Sequence, residues 1–114
     1  MKRATLGFGP DKRLARKADF ERLMREGARR KGSGYLFYLA QRAEGPPRLG
    51  ILISRKHAAK ATMRNGIKRC IREAFRLEQA HLGALDVLVR PPYGARPGPL
   101  MQALLRDLFA SLKP

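Results

Sequence analysis

The stretch MRNGIKRCIREAFR, residues 63–76, limits what this chain can fold into more than any other segment. Met63, Ile67, Cys70, Ile71, Ala74 and Phe75 recur at intervals of three and four residues, so they line one side of a 3.6-residue period. Arg64, Lys68, Arg69, Arg72 and Arg76 take the opposite side with Asn65 among them, and four of these cations step by four residues into a ridge. Like charges at that spacing repel, and Glu73 is the one acid within the segment to offset them. One face therefore requires an apolar partner, and the other suits a polyanion that supplies the countercharge. A solvated charged face is the alternative, although such faces normally mix signs.

The rest of the composition extends that pattern. With 114 residues the chain suits one domain with one modest core, and 44% apolar content sets it apart from a disordered basic tail. Lys and Arg number 25 against 9 Asp and Glu, a formal net charge of +16 that points to a phosphate-bearing partner. There is no run of 18 apolar residues to span a membrane, and MKRATLGFGPDKR lacks the apolar core of a signal peptide. The single cysteine, Cys70, lies on the apolar helix face and reads as a structural thiol, which makes the cytoplasm the expected compartment.

Along the chain, residues 1–17 read as a basic, flexible arm and residues 18–114 as a single α+β RNA-binding domain. Residues 19–26 predict a short helix with Asp19 as N-cap, Phe20, Leu23 and Met24 on one face, and Gly27 as its stop. Arg29, Arg30 and Lys31 open a polar loop that ends near Gly34. Residues 35–42 predict a strand that is apolar on both faces, with Tyr35, Phe37 and Leu39 on one and Leu36, Tyr38 and Ala40 on the other. Such a strand is either buried on both sides or lines a groove. Residues 48–54 predict a second strand, antiparallel to the first because the connection is short. The main helix is expected over residues 59–79 and a third strand over 84–90, which implies a parallel crossover. Residues 100–112 close the chain as a helix, its apolar side drawn from Leu100, Leu104, Leu105, Leu108, Phe109 and Leu112.

Catalytic chemistry is hard to find. The acids are few and scattered, whereas metal-dependent nuclease chemistry needs clustered carboxylates. His57 and His81 are far apart in sequence, and His57, in a basic linker, reads as exposed or as an RNA contact. No zinc spacing, phosphate-cradling glycine loop or Ser-His-Asp order occurs.

The segment ATMRNGIKRCIREAFR resembles the RNA-binding motif of the bacterial ribonuclease P protein component. Its surroundings do too: KRLARKADFERLMREGARR resembles the family's arm and first helix, and YLFYLA, LGILISRK and ALDVLVRP resemble its strands. The resemblance implies a two-layer αβββαβα sandwich, a small mixed sheet with helices packed on it and a left-handed βαβ crossover. It further implies an endoribonuclease subunit that binds the catalytic RNA and the 5′ leader of precursor tRNA. The RNA would perform the hydrolysis and hold most of the Mg2+. No organic cofactor, membrane or obligate protein partner is expected, and the protein alone should be inactive.

Carried over residue by residue, the resemblance assigns RNA binding to Arg64, Asn65, Lys68, Arg69 and Arg72; Arg76 on the same ridge and Lys56 ahead of the helix are taken as further RNA contacts. It assigns the leader-binding cleft to Phe20, Met24, Leu36 and Tyr38. Two departures stand out: Met24 occupies a place where the family often has an aromatic, and Gly66 one where it usually has Arg. Other readings stay open. Phe20 equally fits a core, Tyr38 a core position with a bonded hydroxyl, Asn65 an ordinary exposed site and Lys56 unspecific surface charge. A small ribosomal or other RNA-scaffold protein is the competing function.

If about six phosphates are contacted, RNA affinity should fall roughly a thousandfold or more between about 50 and 200 mM salt. A flat profile in a filter-binding titration would remove the polyanion reading of the ridge.

Overall fold

The computed structural model describes residues 13, 14 and 16–112, so most of the expected arm lies outside the described residues. The elements are helix α1 (Lys17–Glu26), strands β1 (Ala28–Gly32), β2 (Tyr35–Gln41) and β3 (Arg48–Ile51), helix α2 (Ala61–Glu78), strand β4 (Leu85–Arg90) and helix α3 (Pro99–Ala110). A short 3-10 turn, Gln79–His81, follows α2. The chain is α+β in the order αβββαβα, with a four-stranded mixed sheet ordered β1-β2-β4-β3.

β2 is the seed of the architecture, because its alternation presents apolar side chains to both faces of the sheet. Tyr35, Phe37 and Leu39 join Val87 and Val89 of β4 on the main core face. There α2 contributes Ile67, Ile71, Ala74 and Phe75, and α3 contributes Met101, Leu105 and Phe109. Phe109 is the hinge pin of this layer, meeting Phe37 and Phe75 edge-to-face at centroid separations of 5.7 and 5.9 Å. On the other face Leu36 and Tyr38 pack with Leu88, with Leu23 of α1 and with Leu14. The back of the sheet is thus covered by one short helix and a strip of N-terminal chain.

Several expectations are corrected. Residues 28–32 are a strand, not a loop: Ser33 and Gly34 have φ of +51° and +86°, and this two-residue turn returns the chain so that Gly32 pairs with Tyr35. The apolar pattern of β1 is missing because it is a charged edge strand, a usual way of blocking further sheet growth. α1 begins two residues before Asp19, with Arg16 in the N-cap position and no side-chain cap; Asp19 sits in the first turn, 3.4 Å from Arg22. β3 does run opposite to β2, yet β4 lies between them, antiparallel to β2 and parallel to β3. In α3 Leu100 is 88% exposed, and the buried face is carried instead by Met101, one position further round the helix. No described helix is long and apolar enough to cross a membrane.

One buried carboxylate ties these layers together. Asp86 in β4 is almost completely enclosed, and it accepts hydrogen bonds from Arg42 Nε (2.8 Å), Arg48 Nε (2.8 Å) and Arg48 Nη2 (2.7 Å). Arg22 of α1 approaches to 3.8 Å. The bond to Asp86 raises the Arg48 pKa above its ordinary value. Removing the carboxylate takes the charge partner from the part-buried Arg42 and Arg48 guanidinium groups. Asp86→Ala should therefore destabilise the fold by about 3–5 kcal/mol, readable as a lowered midpoint in urea denaturation; an unchanged midpoint would mean that the cluster contributes nothing net.

Candidate nucleic-acid interface

α2 turns its apolar stripe to the core and leaves its cations outside, but the structure does not use those cations alike. Arg64 is half-buried, and its Nη1 donates to the carbonyls of Ala58 (3.0 Å) and Ala59 (2.9 Å), bracing the turn that leads into the helix. Arg76 is engaged with Glu73 through Nε at 3.0 Å and through a second contact from Nη2. That hydrogen bonding holds the Glu73 carboxyl below the usual carboxylate range and raises Arg76. Asn65, Arg69 and Arg72 are exposed and Lys68 is half-buried.

Two adjoining recesses open beside the helix. The first, about 370 Å3, is lined by Arg13, Asn65, Arg69, Arg72, Glu73 and Arg76. The second, about 210 Å3, has Phe20, Leu14, Leu49, Gly50 and Ile51 as its apolar lining and Arg13, Lys68 and Arg72 as its cations. Burial, and next the nearby Arg13 guanidinium, push the Arg72 pKa down. Arginine nevertheless stays charged at neutral pH.

The second recess exists because of two local facts. The chain at Arg13 and Leu14 pairs alongside β3, with Leu14 N–H donating to the Leu49 carbonyl at 2.9 Å, which brings Arg13 against α2. Gly50 leaves room for Phe20: a Cβ there would lie 2.8 Å from the Phe20 ring, 3.0 Å from Leu88 and 3.1 Å from Leu14. Sequence reasoning passed over Arg13 and Gly50. A lone glycine inside a predicted strand was the available signal for close packing.

The other expected site residues are placed as follows. Phe20, Met24, Leu36 and Tyr38 do meet, in the apolar cluster on the back of the sheet. Leu36 and Tyr38 are each 7% exposed and Met24 is half-buried. Phe20 borders the second recess, whereas Leu36 borders another, about 470 Å3, beside Lys31, Tyr35, Arg90 and the Ser33–Gly34 turn. The Arg29 guanidinium lies 5.6 Å from the Tyr38 ring centre. Lys56 is exposed in the turn before α2, its N–H donating to Ser54 Oγ at 3.2 Å, and it lines neither recess beside the helix.

His57 departs from expectation, being buried rather than exposed: Nδ1 accepts from the Ser54 N–H at 2.9 Å, and the ring packs edge-to-face on Tyr93. Cys70 is half-buried against the core, as its face of α2 requires. Among the described residues no group of three or more His, Cys, Asp or Glu side chains is placed to hold a metal ion.

The chain can be compared with known proteins on this basis. The family model for Ribonuclease P matches residues 8–113. The ribonuclease P protein component of Methylococcus capsulatus is 45% identical over 84 residues, 73% of this chain and 65% of that protein, so the match spans just under two thirds of this relative. That of Nitrosococcus oceani is 34% identical over 110 residues, 94% of this chain and 92% of the relative. The solved RNase P protein of Staphylococcus aureus has a TM-score of 0.74 at 31% identity, covering 84% of this chain and 90% of that one. By sequence, and with a fold similar to that of a solved member, the chain belongs to the ribonuclease P protein component family.

Proposed function

We propose that this chain is the RNA-binding protein subunit of ribonuclease P, acting in the cytoplasm. Its α2 cations would bind the catalytic RNA, and the apolar recess beside them would hold the single-stranded 5′ leader of precursor tRNA. The subunit thereby assists endonucleolytic removal of the leader to give the mature 5′ end. The observation that carries this reading is the pair of recesses sharing Arg13 and Arg72, one polar and one with an aromatic wall.

The chemistry follows from what a leader offers. Phosphates run along a single strand at regular intervals while its bases are free to stack, so a surface that pairs guanidinium groups with an aromatic wall serves both parts. Stacking on Phe20 and charge pairing with Lys68 and Arg72 tolerate any sequence, which suits an enzyme with many precursors. Magnesium is the cation the resemblance implies. Among the described residues no group of acids is placed to hold it: Glu73 is the acid at the recess, and Arg76 already engages it. The RNA would hold the ion, and the protein's share is to lower the repulsion between the two RNAs.

The competing reading, an RNA-scaffold protein, accounts for the charge but gives no role to a half-exposed Phe20 set over Gly50 beside three cations. Processing of precursor tRNA at low magnesium, with and without the catalytic RNA, separates the two. Stimulation that needs the RNA supports the subunit reading; no stimulation supports the scaffold; cleavage by the protein alone would overturn both.

Arg69→Ala combined with Arg72→Ala should weaken RNA binding by tenfold or more and lower the slope of log affinity against log salt by about two. Circular dichroism should show the fold retained, since both side chains are exposed. Arg64 is the wrong choice for that test, because its guanidinium braces the turn before α2.

A further inference from the structure

A third recess, about 260 Å3, opens at the start of α2 and shares no lining residue with the two beside the ridge. His57, Ala58, Ala59, Lys60 and Met63 line one part of it, and Gly94, Ala95 and Arg96 of the β4–α3 loop line the rest, with no acid among them.

Three features of this place call for a ligand. First, α2 begins without a side-chain cap and without an acid in its first turn, so the N–H groups of Ala61, Thr62 and Met63 have no intrahelical acceptor at the positive end of an 18-residue helix. Second, His57 is 8% exposed, and its Nε2 is buried with no hydrogen-bond partner among the described residues. Because Nδ1 accepts from the Ser54 N–H, the neutral ring carries its proton on Nε2, a donor that lacks an acceptor. Burial, and next the Arg90 guanidinium, hold His57 below its ordinary range, which favours the neutral ring. Third, Tyr93 is 68% exposed although its ring meets His57 edge-to-face at 4.8 Å. The contact anchors the ring and leaves most of its surface to solvent.

The loop is held against α2 for a steric reason. A Cβ on Gly66 would lie 2.9 Å from Pro97 Cγ, so this glycine is the seat on which the loop rests. The Gly94 N–H donates to the His57 carbonyl at 3.2 Å and closes the other end. Tyr93 and Arg96 are thereby fixed beside the helix start.

We infer that this recess and Tyr93 form a second contact for single-stranded RNA, in which the first turn of α2, Lys60 and Arg96 take one phosphate beside the His57 ring and Tyr93 stacks a neighbouring base. The assignment rests on the proposed RNA-binding role and adds a contact away from the Arg69–Arg72 face. Helix-start N–H groups and cations suit a phosphate, and an exposed ring suits any base.

The test uses the full chain and a ten-nucleotide oligouridine in fluorescence anisotropy, with inorganic phosphate as the second probe in an amide NMR titration. Tyr93→Leu should lower oligonucleotide affinity about fivefold or more while Tyr93→Phe keeps it. Lys60→Gln with Arg96→Gln should lower the salt slope by about one. Phosphate should shift the amides of Ala61, Thr62 and Met63 and the His57 ring signals. If Arg72→Ala weakens binding but Tyr93→Leu does not, this second contact is overturned and the ridge reading stands. If neither weakens it, both fall. Phosphate shifts at the helix start without any Tyr93 effect would mark a site for a free anion only, which also overturns the single-strand assignment.

Discussion

The burial of one face of α2 is the interaction on which everything else depends. Its outer face sets cations four residues apart, as in Arg64, Lys68 and Arg72, and like-charge neighbours at that spacing destabilise an isolated helix by about 0.2–0.5 kcal/mol per pair. Ile67, Ile71 and Phe75 on the other face are fully enclosed, and burying each contributes about 1.5–3 kcal/mol. The apolar term wins with room to spare. A basic surface can therefore be kept ready before its anionic partner arrives, and the charge is carried by a rigid element rather than by a loop.

That rigidity extends through the sheet to the back of the molecule. β2 is apolar on both sides, so the sheet must be covered twice: by α2 and α3 on one face, by α1 and Leu14 on the other. Among the described residues the second covering leaves Phe20 and Met24 half-buried. α1 has only ten residues, and Phe20 ends up over Gly50 at the boundary between the sheet and the basic helix. An aromatic wall beside guanidinium groups is thus a by-product of how the two-faced strand is packed. Asp86 keeps α1, β3 and β4 in this relation by holding Arg42 and Arg48 and attracting Arg22.

The cations themselves divide by role in a way that charge counting hides. Arg64 braces backbone carbonyls and Arg76, at the polar recess, is engaged by Glu73, whereas Arg69 and Arg72 line that recess alongside the uncharged Asn65. Arg13 joins them from the far end of the sequence. Membership of the ribonuclease P protein component family accounts for the basic helix. The particular sharing of duties among Arg13, Arg64, Arg72 and Arg76 belongs to this chain's own packing.

Periodicity was enough to place α2, β2, β4 and α3, because a 3.6- or two-residue repeat of apolar side chains is written locally and needs no knowledge of the partner. It also identified the two faces of β2 and the cationic ridge. Tertiary contacts decided the rest. ARRKG is a strand because Ser33 and Gly34 turn it back onto β2, not because of any pattern of its own. His57 lies in a basic stretch yet is buried, since Gly94 and Tyr93 of a distant loop close over it. Gly66, where the resembled family usually has Arg, is the place against which Pro97 of a distant loop rests. Local sequence determines which way a side chain faces along its own element; only the meeting of elements remote in the chain decides what it faces.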